Sequence, residues 1–192
     1  MYAEDKTDLI KNARSGVLMD SSSGKILFEK DKDERVAPAS MTKMVAQILI
    51  LENIENGNLS WDEKVRASKN AAGMGGSQIW LQEGEEMSVR DLMKGITMAS
   101  ANDATVALAE RIGGTEEKFV QMMNDKIKEL GLKNTNFVNP TGLDEDNHYS
   151  SAYDMAMIAK ELLNHEQILE FSSVYEDYIR VCLLYTSDAA DE

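Results

Sequence analysis

Hydrophobic residues near the start of the chain fall into two short runs, residues 16–19 and 25–29. Between them, residues 20–24 read Asp-Ser-Ser-Ser-Gly, a cluster of residue types that favour turns. Strand-length apolar runs on either side of such a cluster predict a β-hairpin. Because two strands alone are only marginally stable, we expect this hairpin to need further sheet partners.

A long helix is predicted next, over about residues 40–56, and Gly57 stands where a helix usually ends. Within it, residues 44–51 are all apolar except Gln47. A helix that is apolar on every side lies at the centre of a domain rather than on its surface.

Apolar positions with helical spacing recur further along the chain. Another helix begins at Ser88, where Asp91 completes a pattern resembling a capping box. Three more are predicted over residues 103–112, 115–131 and 152–164, the last capped by Ser151. Residues 65–81 indicate short strands or loops, and residues 133–150 a loop with a turn signal at residues 139–142. The pattern predicts a mostly helical body with an N-terminal hairpin.

Composition limits the possible functions. The 192 residues, 43% of them hydrophobic, suffice for one domain with a real core. A net charge of −14 disfavours nucleic-acid binding, and no apolar run is long enough for a membrane span. The first residues lack the features of a signal peptide. Cys182 is the only cysteine and the two histidines, His148 and His165, are far apart, so neither a disulfide nor a metal site is predicted.

The segment Ser40-Met41-Thr42-Lys43 carries the clearest candidate chemistry. Residues three apart on a helix project from one face, so the Ser40 hydroxyl and the Lys43 amine are expected to meet. A serine is a weak nucleophile until a base takes its proton, and a lysine becomes that base when burial disfavours its ammonium form. A second Ser-x-x-Lys, from Ser22 to Lys25, falls in the predicted turn and is interpreted as a turn.

A second candidate, Ser100-Ala101-Asn102, lies at the junction of two predicted helices. There the Ser100 hydroxyl could pass a proton to a leaving amine, and the Asn102 amide could hold a substrate carbonyl and position the lysine. Helix capping is the alternative role of both residues. For His148, which has no recognisable acidic partner, a structural hydrogen bond is favoured over a catalytic role.

Together these motifs resemble those of the serine D-alanyl-D-alanine carboxypeptidases, which are low-molecular-mass penicillin-binding proteins. Residues 38–43 (Pro-Ala-Ser-Met-Thr-Lys) and 100–104 (Ser-Ala-Asn-Asp-Ala) are similar to the first two motifs of that family. The resemblance continues through residues 139–143 and 148–152, and covers about residues 13–180.

The resemblance implies an α+β fold of the penicillin-binding and β-lactamase type: an antiparallel sheet with packed helices and a helical subdomain. It implies removal of the terminal D-alanine from peptidoglycan stem peptides through an acyl-enzyme, and acylation by β-lactam antibiotics. Ser40 would be the nucleophile, Lys43 the general base, Ser100 the proton relay and Asn102 a substrate-binding residue. No cofactor is implied. The full-length family is extracytoplasmic and reaches the membrane through segments absent from this chain.

The chain departs from the family pattern in two respects. The third motif, Lys-Thr-Gly, does not occur in it, and residues 181–192 no longer resemble the family. We therefore expect an extension over residues 1–12, a partial catalytic domain over residues 13–180 that lacks the final sheet strands, and a non-native tail over residues 181–192.

Two other functions stay open at this point. A class A β-lactamase would share the Ser-x-x-Lys motif, although its second motif usually reads Ser-Asp-Asn rather than Ser-Ala-Asn. A non-catalytic protein that binds cell-wall peptides is the second alternative, and the missing third motif favours it for the chain in isolation.

Overall fold

The structure is a computed structural model that describes residue 10 and residues 12–179. Most of the predicted N-terminal extension and the predicted tail, with Cys182, lie outside the described residues. The strands are β1 (Gly16–Met19), β2 (Ile26–Lys30), β3 (Lys64–Arg66) and β4 (Glu86–Ser88). The helices are α1 (Lys43–Glu55), α2 (Lys69–Ala72), α3 (Val89–Ala99), α4 (Asn102–Gly113), α5 (Glu116–Glu129), α6 (Ala152–Leu162) and α7 (Ile168–Ser172).

The predicted hairpin is confirmed, with β1 antiparallel to β2. In its turn the Asp20 carboxylate accepts hydrogen bonds from the Ser23 hydroxyl at 2.6 Å and from the Ser23 N–H and the Ser22 hydroxyl, each at 2.8 Å. These bonds, led by the one from the Ser23 side chain, lower the pKa of Asp20 to about 2. The Ser22 hydroxyl is thus engaged in the turn, which supports the interpretation of Ser22-Ser23-Gly24-Lys25 as structural.

Helix α1 forms the centre of the core, as its apolar pattern predicts. Val45, Ile48, Ile50 and Leu51 have no exposed surface. The predicted start of this helix is wrong, however, because residues Ala39–Thr42 form a 3₁₀ turn and the α-helix begins only at Lys43. Short 3₁₀ segments are common at helix N-termini, where the first N–H groups have no α-helical acceptor.

Three predicted helix starts are confirmed by their capping hydrogen bonds. The hydroxyls of Ser88, Thr115 and Ser151 each accept from the backbone N–H three residues later, which begins α3, α5 and α6. Each such cap typically contributes about 1 kcal/mol to the free energy of unfolding. Helices α2 and α7 were not predicted, because four or five residues are too few to show a helical period.

A second antiparallel pair joins β3 to β4, with Val65 opposite Met87. The described part of the chain thus has two separate two-stranded sheets and seven α-helices, which agrees with the predicted α+β class. No helix within residues 12–179 is long and apolar enough to cross a bilayer.

Candidate active site

Ser40 and Lys43 lie one turn apart at the entrance to helix α1. The Ser40 side chain is exposed in the 3₁₀ turn, whereas Lys43 is 4% exposed. The Lys43 Nζ lies 3.4 Å from the Ser40 Oγ and donates a 2.8 Å hydrogen bond to the backbone carbonyl of Thr141. The predicted pair is therefore brought together, with the amine inside the protein and the hydroxyl at its surface.

Burial changes the acid–base character of this lysine. Desolvation lowers the pKa of Lys43 from 10.5 to about 8, and no other cause contributes among the described residues. A carboxylate beside the ammonium would have opposed this shift. The neutral amine, which is the form that accepts a proton, thus becomes accessible near neutral pH.

The loop at residues 139–142 holds the acceptor for Lys43. The Asn139 Oδ1 accepts from the N–H of Thr141 at 3.2 Å, from the Thr141 hydroxyl at 3.2 Å and from the N–H of Gly142 at 2.8 Å. This side-chain cap fixes the turn, so the Thr141 carbonyl is held in place against the lysine. The sequence identified this segment as a turn and as part of the family resemblance, but not its contact with Lys43.

Gly142 packs directly on the backbone of the candidate nucleophile. Its φ is +83°, and a Cβ at this position would overlap the carbonyl of Ala39 and lie 3.0 Å from the Ser40 nitrogen. Ala39 itself has a φ of +49°, an uncommon conformation for a residue other than glycine. The two peptide segments therefore fit together only because residue 142 has no side chain.

His148 forms hydrogen bonds to Thr42, next to Lys43, and to Val138. Its Nδ1 accepts from the Val138 N–H at 3.2 Å, so the neutral ring carries its proton on Nε2, which donates to the Thr42 hydroxyl at 2.8 Å. Burial lowers the pKa of His148 and favours this neutral form. Both ring nitrogens are occupied, which supports a structural hydrogen-bonding role and leaves no nitrogen free to act on Ser40.

The second motif lies where α3 ends and α4 begins. Ser100 has a left-handed backbone with a φ of +54°, and its Oγ is buried without a hydrogen-bond partner among the described residues. Asn102 is 4% exposed, and its Nδ2 donates to the carbonyl of Gly75 at 2.7 Å. Its backbone N–H donates to the carbonyl of Ser77 at 2.7 Å. The helix-ending role considered for Ser100 is thus realised by its backbone.

Two observations relate this junction to the segments next to the Ser40–Lys43 pair. The Gln47 side chain on α1 donates to the Thr97 hydroxyl on α3 at 2.9 Å. A Cβ placed on Gly76 would lie 2.8 Å from the Asn102 Nδ2 and 3.9 Å from the Leu143 side chain, which adjoins Gly142. Within residues 12–179, Ser100 and Asn102 form no direct hydrogen bond to Ser40 or Lys43. The helices that carry the two motifs are thus joined by the hydrogen bond between Gln47 and Thr97.

Comparisons with known proteins identify the family. The sequence model of the D-alanyl-D-alanine carboxypeptidases matches residues 3–188. The chain belongs to this family. D-alanyl-D-alanine carboxypeptidase DacF of Bacillus subtilis (strain 168) is 56% identical over 174 residues, which cover 91% of this chain and 45% of that protein. The chain thus spans less than half the length of this curated relative.

Solved structures of penicillin-binding proteins have the same fold. The carboxypeptidase DacD from Francisella tularensis is 42% identical with a TM-score of 0.82, and the match covers 84% of this chain and 39% of that one. Penicillin-binding protein D2 from Listeria monocytogenes, in its ampicillin-bound form, is 30% identical with a TM-score of 0.75. That match covers 84% of this chain and 66% of the other. The predicted penicillin-binding fold is confirmed.

Metal ligands are not clustered in the part of this carboxypeptidase-family chain that the structure describes. No group of three or more His, Cys, Asp or Glu side chains is arranged there to hold a metal ion.

Proposed function

We propose that the chain carries the nucleophile of a serine D-alanyl-D-alanine carboxypeptidase, which removes the terminal D-alanine from peptidoglycan stem peptides through an acyl-enzyme on Ser40. The observation that carries this proposal is the buried Lys43 amine, with its pKa lowered to about 8, at 3.4 Å from an exposed serine hydroxyl. Membership of the carboxypeptidase family supports the choice of substrate.

Acylation begins when neutral Lys43 takes the proton of the Ser40 hydroxyl. The Ser40 oxygen then attacks the carbonyl carbon of the peptide bond between the two D-alanines, and a tetrahedral intermediate forms. The Ser40 N–H, at the start of the helical segment, is one donor that could stabilise the developing oxyanion. When the peptide bond breaks, the leaving amine of the terminal D-alanine needs a proton.

Ser100 and Asn102 are proposed to serve this second half of the reaction. The unpartnered Ser100 hydroxyl would relay a proton from protonated Lys43 to the leaving amine. Asn102, held by the carbonyl of Gly75, would bind the substrate carbonyl and help to position Lys43. Water then attacks the ester on Ser40 with Lys43 as its base, which releases the shortened peptide and restores the serine.

β-Lactams are proposed as a second class of reactant, because opening their strained amide by Ser40 would give an ester that lasts. Peptidoglycan lies outside the cytoplasmic membrane, so an extracytoplasmic location follows from this substrate.

Nucleic acid is not a proposed partner, since the net charge of −14 repels a phosphate backbone.

Neither alternative function is favoured by the comparisons. The family match is to carboxypeptidases rather than to class A β-lactamases. Rapid, repeated hydrolysis of penicillin would nevertheless restore the β-lactamase interpretation. The non-catalytic alternative rests on the absence of Lys-Thr-Gly from these 192 residues. The family resemblance implies that the strand with this motif supplies a second oxyanion donor, and loss of one such donor typically slows the reaction about 10²–10³-fold.

Release of free D-alanine tests the proposal directly. The purified chain is incubated with diacetyl-L-Lys-D-Ala-D-Ala, and D-alanine is measured by a coupled oxidase assay. We expect release by the parent chain and none by the Ser40→Ala variant. Binding of the peptide without release by the folded parent would contradict the carboxypeptidase proposal and support the non-catalytic alternative.

A further inference from the structure

A pocket lies on the segment that leads from α2 to β4. Its volume is about 500 Å³, and its walls include Lys69, Met74, Gln78, Trp80, Gln82 and Glu83. Trp80 is 67% exposed, although tryptophan is usually among the more buried residues. None of these residues has a role in the mechanism proposed above.

The backbone holds Trp80 in its exposed position. Trp80 has a φ of +63°, a left-handed conformation that is a genuine outlier for a bulky residue. Both neighbouring N–H groups are fixed by the buried Asp103 carboxylate: that of Ile79 at 3.2 Å and that of Leu81 at 3.0 Å. Such strain persists only where surrounding contacts impose it, and it occurs preferentially at ligand-binding positions.

The polar groups of the pocket include acceptors and donors of hydrogen bonds. The Nε2 atoms of Gln78 and Gln82 donate to the carbonyls of Met74 and Trp80. Each amide is thereby oriented with its Oε1 away from that carbonyl, and neither Oε1 accepts a hydrogen bond within the described residues. Lys69 and Glu83 contribute one charge of each sign, so the pocket has no net charge.

We propose that this pocket binds an N-acetylated amino sugar of the peptidoglycan glycan strand. Such a sugar is uncharged, presents an apolar face to an aromatic ring, and offers hydroxyl and amide donors to the glutamine oxygens. This inference rests on the proposed function, because stem peptides are attached to that glycan.

The pocket adjoins the segment that binds Asn102. Met74 and Gln78 line it, and the three residues between them include Gly75 and Ser77, whose carbonyls bind Asn102. The segment that lines the pocket is therefore also the segment that holds Asn102.

Nuclear magnetic resonance of the two indole N–H groups tests the proposal. The Ser40→Ala variant is labelled with ¹⁵N and titrated with tri-N-acetylchitotriose, and maltotriose serves as the matched sugar without acetamido groups. The Trp80 indole signal, assigned with Trp80→Phe, is expected to shift with the acetylated sugar alone. Trp61 is an internal control, since it packs on Phe171 at a ring distance of 5.2 Å.

Two variants complete the test. Trp80→Ala should weaken chitotriose binding by about tenfold or more. In this variant, binding is measured from the side-chain amide signals of Gln78 and Gln82. Tyr175→Ala, which removes a fully exposed aromatic ring elsewhere, should leave the affinity unchanged. No shift of Trp80, an equal shift with maltotriose, or unchanged binding by Trp80→Ala would each overturn the proposal. The titrated variant lacks the Ser40 hydroxyl, so sugar binding is measured independently of D-alanine release. Failure of the sugar-site proposal is therefore distinguished from failure of the carboxypeptidase proposal.

Discussion

At the scale of single residues, the pKa of Lys43 determines whether the proposed chemistry is possible at neutral pH. With a pKa of about 8, about a tenth of the Lys43 side chains are neutral at pH 7, against about one in three thousand for an ordinary lysine. The same shift means that the folded state binds its proton less tightly than the unfolded state does. Burying the ammonium therefore costs about 3 kcal/mol of stability below pH 8, and this cost disappears as the pH rises past 10.5.

The rate of β-lactam acylation should follow the titration of Lys43. We expect the rate constant for adduct formation with benzylpenicillin to rise about tenfold per pH unit below pH 7 and to level off above about pH 9. Timed quenching followed by intact-mass measurement gives this profile. Lys43→Arg, whose guanidinium stays protonated, should remain unreactive throughout. A parent rate that is constant from pH 6 to 9 would show that Lys43 is not the base.

At the scale of elements, the 3₁₀ turn that carries Ser40 is shaped by the 139–142 loop as well as by its own sequence. The loop supplies the Thr141 carbonyl to Lys43 and packs Gly142 against the peptide between Ala39 and Ser40. Its conformation is fixed in turn by the Asn139 side chain. The position of the nucleophile therefore depends on contacts between segments about 100 residues apart.

Gly142→Ala tests this dependence, and Gly131→Ala is its matched control. Both glycines have a positive φ, so both substitutions carry the cost of a left-handed alanine, about 1 kcal/mol. Only at residue 142 would the new methyl group also overlap backbone, whereas at residue 131 it meets nothing within 4 Å. We expect Gly142→Ala to lower the free energy of unfolding by about 1–3 kcal/mol more than the control does, and to slow acylation.

Urea denaturation and the penicillin acylation rate measure the two effects. Equal stability losses for the two variants, together with an unchanged acylation rate in Gly142→Ala, would show that the loop does not position the nucleophile.

At the scale of the whole molecule, local signals were predictable and long-range contacts were not. The hydroxyls of Ser88, Thr115 and Ser151 act on backbone three residues away, so sequence spacing was sufficient to locate the helix starts. Serine and lysine three residues apart were likewise predicted to meet, and they do.

The acceptor of Lys43 could not be foreseen in the same way. Thr141 is 98 residues away and contributes a backbone carbonyl, which every residue type possesses. The 3₁₀ start of the helix and the Asp103 contacts that expose Trp80 also depend on tertiary packing, which hydrophobic periodicity does not encode. The predicted boundaries at residues 13 and 180, and the roles of Ser100 and Asn102, stay predictions.

Covalent labelling by penicillin tests the central proposal, that Ser40 is the nucleophile, most directly. The parent chain, Ser40→Ala and Ser22→Ala are incubated with benzylpenicillin and measured by intact mass. Ser22 is the matched control, because it belongs to the other Ser-x-x-Lys sequence, in the hairpin turn. We predict a single adduct of the penicillin mass on the parent and on Ser22→Ala, and none on Ser40→Ala. An adduct that persists on Ser40→Ala, or no adduct on a folded parent chain, would contradict the proposed role of Ser40.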